Sequence, residues 1–287
     1  MLSRLMVLGA ALLFSTGGAA IKGTTLNGWQ TAGLRSLIAA IALAVLVPEA
    51  RRGWNWRVWP VGLAYALTLV SFVHSTKLTT SANAIFLQST APAYLLLIGP
   101  LFLNEKVKQR DLIFTAALVA GMALLFTGVE NPVATAPNPA RGNLYALFSG
   151  AAYAVTLAGL RWQSGGSALA TVVCGNILAF AISMPASLPI TSFTPADGAV
   201  LLYLGFIQIG LAYWLLTHGI KHVTAFEAST LLLLEPVGNP IFTWVFHGEK
   251  PGERALAGGA VILMSTLVKL WFDRRQLLQA HLGEPVA

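Results

Sequence analysis

One stretch of this chain is present twice. From His74 to Arg110 it reads HSTKLTTSANAIFLQSTAPAYLLLIGPLFLNEKVKQR, and a gapless displacement of 144 residues lays it on His218 to Arg254, with ten of 37 positions identical. His74, Lys77, Thr80, Ala84, Leu87, Pro92, Phe102, Glu105, Lys106 and Arg110 fall on His218, Lys221, Thr224, Ala228, Leu231, Pro236, Phe246, Glu249, Lys250 and Arg254. Each copy sets a proline in the middle of an apolar span and a Glu-Lys pair at its far end, so the fold must accommodate two related halves.

The medium those halves fold in follows from charge. Only 10% of the residues are charged and 56% are hydrophobic, with a mean hydropathy of +0.70. Soluble domains carry about 25% charge. The chain is therefore expected to be an all-α integral membrane protein. Basic residues bring the net charge to +7. They stand singly or in short groups between apolar runs, as orienting loop charges do, which argues against nucleic acid as a partner. The lone Cys174 supplies neither a disulfide framework nor a cysteine metal site. No metal or cofactor is expected.

A bilayer core about 30 Å thick takes about 20 apolar residues per helix. Ten segments meet that length, near 3–21, 28–47, 58–77, 82–103, 110–128, 141–161, 167–188, 197–219, 224–246 and 253–272. The first has a signal-peptide composition, but Leu13-Phe14-Ser15 recurs as Leu147-Phe148-Ser149 at the start of the second half, so it is counted as a span. Residues 1–128 then form one five-helix repeat, 129–140 a proline-rich linker, 141–273 a second repeat and 274–287 a tail. Lys and Arg number eleven on the side holding the N-terminus and five on the other, which places both termini in the cytoplasm. With five spans per half the second repeat enters the membrane upside down. Two inverted five-helix repeats, ten transmembrane helices in all, are an architecture of secondary transporters, whose site lies near the midplane between repeats.

The spans running from Pro92 to Glu105-Lys106 and from Leu234-Glu235-Pro236-Val237 to Gly248-Glu249-Lys250, with Arg35 in an R-x-L-I-A-A setting, resemble the EamA family of the drug/metabolite transporter superfamily. The resemblance covers nearly the whole chain, and among the family's branches it is most similar to YddG-type exporters of aromatic and other amino acids. The first copy departs from the pattern with Asn104 where the second has Gly248. The resemblance implies a multi-pass protein of the bacterial inner membrane that exports amino acids and related metabolites, and not an enzyme. A passive channel and an exporter of other small metabolites or drugs are the alternatives, and a homodimer stays open.

Polar groups inside the spans are where transport must show itself, because lipid penalises them. Glu235 lies at the centre of the ninth span directly before Pro236, a residue that frees a backbone carbonyl one turn earlier. Pro92 and Pro236 are expected to bend their spans equivalently. Arg35, about 10 Å inside the second span, would meet either a substrate carboxylate or a partner within the protein. Glu227, near the start of the ninth span, reads as a gate or interface residue. In the third span Tyr65, Thr68, Phe72, Ser75 and Thr79 recur on one helical stripe. With Gln208, Tyr213 and Trp214 of the eighth span, Gln88 and Tyr94 of the fourth, Ser15 of the first and Tyr153 of the sixth, they are expected to line a cavity of hydroxyls, amides and aromatic faces suited to small zwitterions. Trp54, Trp56 and Trp59 read as an interfacial belt, and His74 and His218 as interfacial residues.

Overall fold

The computed structural model describes residues 2–102, 109–127, 133–163, 168–223 and 225–282. Among these the chain is helical, apart from loops and one isolated bridge between Val133 and Ala136. The helices are α1 (Leu2–Ser15), α2 (Gly17–Lys22), α3 (Gly28–Leu46), α4 (Val58–Leu78), α5 (Ser81–Gln88), α6 (Ala91–Phe102), α7 (Gln109–Thr127), α8 (Pro139–Trp162), α9 (Ala168–Ser187), α10 (Pro195–Leu202), α11 (Ala212–Gly219), α12 (Ala225–Leu232), α13 (Leu234–His247) and α14 (Glu253–Leu282), with a π-helix, Tyr203–Leu211, joining α10 to α11.

Seven stretches among the described residues are long and apolar enough to cross a membrane: Leu2–Lys22, Gly28–Leu46, Val58–Leu78, Pro139–Trp162, Ala168–Ser187, Pro195–His222 and Glu253–Phe272. Asp111–Thr127 is apolar but shorter. The expected fourth and ninth spans are each two short helices rather than one bent helix. The breaks fall at Ser89-Thr90 and at Leu233, so that Pro92 and Pro236 sit in the first turn of the second piece. Proline is tolerated there because a first-turn N–H has no helical partner to lose. The Glu105-Lys106 end of the fourth span lies outside the described residues. At the other end of the chain α14 continues to Leu282, past the expected end of its span, through a stretch rich in helix-forming Arg, Gln and Leu.

Capping fixes several starts. Asn27 and Gln30 form a reciprocal box on α3, Thr194 and Asp197 another on α10, and Thr80 caps α5 through the Asn83 amide. The left-handed Gly248 (φ 66°) ends α13, a conformation that glycine adopts without steric cost.

The packing repeats as the sequence does. Helix α4 lies along α8 and α9; its counterparts, α11 and the π-helix, lie along α1 and α3. Helices α5 and α6 pack on α8 as α12 and α13 pack on α1, while α3 pairs with its own counterpart α9, and α7 with α14. An ion pair between Lys269 and Asp111, 2.8 Å apart, ties the last two together.

Without a hydrophobic drive between helices in lipid, close approach depends on small residues. A Cβ on Gly205 of the π-helix would stand 2.6 Å from the Ile38 side chain and 2.8 Å from the Arg35 carbonyl on α3. Neither neighbour is the end of a flexible chain. Gly205→Ala is expected to destabilise the protein by about 1–3 kcal/mol, read as a lower midpoint of thermal unfolding in detergent.

Candidate functional site

Arg35 is the deepest charge on α3, with only 2% of its surface exposed. It forms no ion pair among the described residues, its Nε has no hydrogen-bond partner, and the groups nearest it electrostatically are the tyrosines Tyr65 and Tyr213. Tyr65, buried on α4, sets its ring edge-on to Tyr213 at 5.9 Å; Tyr213 packs in turn on Phe14 at 5.2 Å. Glu235, in the first turn of α13, lies within electrostatic range of Tyr65, Tyr153 and Tyr213. Tyr153 of α8 is 37% exposed. A cation, an acid and three phenols therefore converge from α3, α4, α8, α11 and α13, two elements from the first half and three from the second.

The broken helices are held near this cluster by two serines in matching positions. Ser15 of α1 donates to the Ala11 carbonyl at 2.7 Å and reaches the Leu234 carbonyl, beside Glu235, at 3.3 Å. Ser149 of α8, its repeat mate, accepts from Gln88 Nε2 at 2.7 Å and donates to the Thr68 carbonyl at 3.0 Å. Each serine ties the broken span of the opposite half.

The remaining expected lining residues are more dispersed. Thr68 is buried, its hydroxyl on the Ala64 carbonyl, and Ser75 and Thr79 are buried farther along the same stripe, Thr79 bonded to Asn143. Phe72 is packed against two core clusters. Gln208 is buried against Gly17, where a Cβ would lie 2.9 Å from its Nε2. Tyr94 and Pro92 are half-buried on α6, and Pro236 is buried on α13. Trp214 is 37% exposed and stacks on His218 at 4.7 Å, and neither is brought into the cluster. Glu227 pairs with Arg4 across the starts of α12 and α1. His74, expected at an interface, is instead buried, with Nδ1 on the Val70 carbonyl and its ring against Trp29. The Gly28 position leaves room for that ring, since a Cβ there would meet it at 2.9 Å.

A second charged site was not foreseen. Lys22, counted as a loop charge in the sequence, is buried with Glu249: the side chains are 4% and 5% exposed and 2.8 Å apart. Lys22 also donates to the Thr79 and Thr135 carbonyls, and Glu249 accepts from the Ser81 amide at 2.7 Å. The Glu of the repeated Glu-Lys motif thus caps the N-terminus of α5 from the other half of the chain, where the helix dipole favours an anion. The turn at Gly248 brings it there. The motif itself was the available signal.

The family model for the EamA-like transporter family matches residues 1–127 and 140–271. The pseudopaline exporter CntI of Pseudomonas aeruginosa is 24% identical over 270 residues, 90% of this chain and 92% of its own length. An uncharacterized transporter of Archaeoglobus fulgidus is 24% identical over 204 residues, 70% of this chain and 72% of its own. One solved crystal structure is similar over 96% of this chain and 98% of that chain, with a TM-score of 0.62 and 20% identity, a likeness of fold.

Proposed function

The chain belongs to the EamA-like transporter family, a multi-pass membrane protein, and on that premise we propose that it exports amino acids, aromatic and others, and related metabolites by alternating access. The substrate would sit among Arg35, Tyr65, Tyr153, Tyr213 and Glu235. Arg35 would take the α-carboxylate, Glu235 the ammonium group, and the three tyrosine rings the side chain. The observation that carries this reading is the buried Arg35 without an ion pair among the described residues. An unpaired buried guanidinium is costly, and a bound carboxylate supplies the two acceptor oxygens it lacks.

Two inverted five-helix repeats, 1–128 and 141–273, are the frame for this proposal. It is supported by the helix contacts, which map onto one another under the sequence displacement, and by the matching roles of Ser15 and Ser149. Breaks before Pro92 and Pro236 give each repeat a hinge, and rocking of one repeat against the other would open the site to either side. Both termini would face the cytoplasm of a bacterial inner membrane. The relative named as an exporter, together with the likeness to YddG-type exporters, favours export and amino-acid substrates.

Proteoliposomes containing the purified protein are expected to take up radiolabelled amino acids saturably, with unlabelled aromatic, aliphatic, basic and acidic amino acids competing unequally. Uptake no greater than in empty liposomes would remove the amino-acid reading while leaving the family. Within the same assay, Glu235→Gln should reduce transport roughly tenfold or more while the protein stays monodisperse, since hydrogen bonds to a charged group contribute about 1.5–3 kcal/mol. Unchanged transport in that variant takes Glu235 out of the site.

A further inference from the structure

The corner that begins α4 is written Trp54-Asn55-Trp56-Arg57-Val58-Trp59-Pro60, three tryptophans around one arginine. Beside it a groove of about 330 Å³ opens between α4, α6 and α8, lined by apolar side chains that include Pro60, Val61, Ile98, Val155 and Trp162. Its floor is made where α4 and α8 touch at Gly159, whose Cβ, if present, would lie 2.6 Å from Val61 Cγ2. The groove is separate from the central cluster. On α8, Ser149 and Tyr153 share one face at helical spacing, whereas Val155, Gly159 and Trp162 share another.

Trp162, on the wall of the groove, has a polar neighbour held in place beside it. Arg57 donates from Nη1 to the Trp162 carbonyl at 3.0 Å, lies 4.8 Å over the Trp162 ring and 5.8 Å from that of Trp56, and is held at its own carbonyl by Gln163 Nε2 at 3.1 Å. The two indoles meet edge to face at 5.2 Å. No carboxylate pairs with Arg57 among the described residues, and a guanidinium has five N–H donors, most of them left over here. Arg51 and Arg52, both exposed, precede it on the same loop.

We propose that this groove binds an anionic phospholipid of the surrounding bilayer, with an acyl chain along the apolar channel and the phosphate on Arg57. Guanidinium pairs with phosphate in a planar, directed manner, tryptophans belong at headgroup depth, and each further basic residue near the surface strengthens the attraction to an anionic headgroup. A neutral occupant would use the channel and leave the arginines idle, so the charge beside the channel selects the anionic lipid.

The test is native mass spectrometry of the purified, delipidated protein with phosphatidylglycerol and phosphatidylcholine of the same chain length. Phosphatidylglycerol is expected to remain bound about tenfold more readily than phosphatidylcholine, as one charge-assisted contact would give. Arg57→Ala should abolish that preference, and Val155→Trp, which fills the channel from a position 46% exposed, should weaken both lipids. Equal retention of the two lipids overturns the proposal, as does a preference that survives both substitutions. Lipid retention is read without transport, so the result stands apart from the substrate reading.

Discussion

Replacing Arg35 by glutamine should weaken amino-acid transport by roughly ten- to hundredfold, the loss of a charged hydrogen-bonding partner, and should leave the protein as stable as before or more so. The two halves of this expectation separate a binding role from a structural one. A buried arginine that neutralised an internal carboxylate would leave that carboxylate stranded when removed, at a cost of about 3–5 kcal/mol. Arg35 has no such partner among the described residues and carries an Nε with nothing to donate to. Removing it therefore removes an unpaired buried charge. Competition adds a chemical check: an amino acid should inhibit uptake much better than its decarboxylated amine in the parent protein, and no better than the amine in Arg35→Gln. Arg35→Lys should recover only part of the difference, because an ammonium cannot offer the paired donors of a guanidinium. A lower unfolding midpoint with selectivity intact would assign Arg35 to the scaffold.

Seven spans were readable from the sequence because the bilayer dictates them: each backbone group of a helix in lipid must be paired within that helix, and this takes apolar runs of a set length. Irregularities were readable only where covalent chemistry forces them. Pro92 and Pro236 announced two breaks, although each falls two to three residues before the proline. The interruption at Thr16, after which Gly17 and Gly18 pack beneath Gln208 and Asn239, carries no such mark, since a glycine pair serves close packing as readily as a break. The π-helix left no mark, because an extra residue in a turn is stabilised by what it packs on, here α3. The same logic divides the site. Tyr65 stood out on a stripe, but Tyr213 and Trp214 are neighbours on one helix, and only the packing shows that the first sets its ring against Tyr65 and Phe14 and the second against His218. Lys22 was misread for a related reason: a lysine at a span end normally reaches water, and the acid that buries it lies in the other half of the chain.

That acid is the site of the largest expected loss of stability. Glu249→Ala should destabilise the protein by about 3–5 kcal/mol, since Lys22 would keep two carbonyl acceptors but face burial without an anion, and the Ser81 amide would lose its partner. Lys22→Met alone should be similarly costly, while Lys22→Met with Glu249→Ala should cost much less than the two losses summed, because the double variant leaves no buried charge. The consequence for transport follows from the other pair joining the same two spans. Arg4 and Glu227 bridge the starts of the first and ninth spans with side chains 65% and 31% exposed, a setting in which ion pairs contribute about 0–1 kcal/mol. Lys22 and Glu249 bridge the far ends in a buried setting. The two ends of one helix pair are thus held unequally, and alternating access would release the Arg4 end more readily. Thermal unfolding of the four proteins in detergent gives the coupling directly. Additive losses in the double variant would mean that the two charges do not depend on each other.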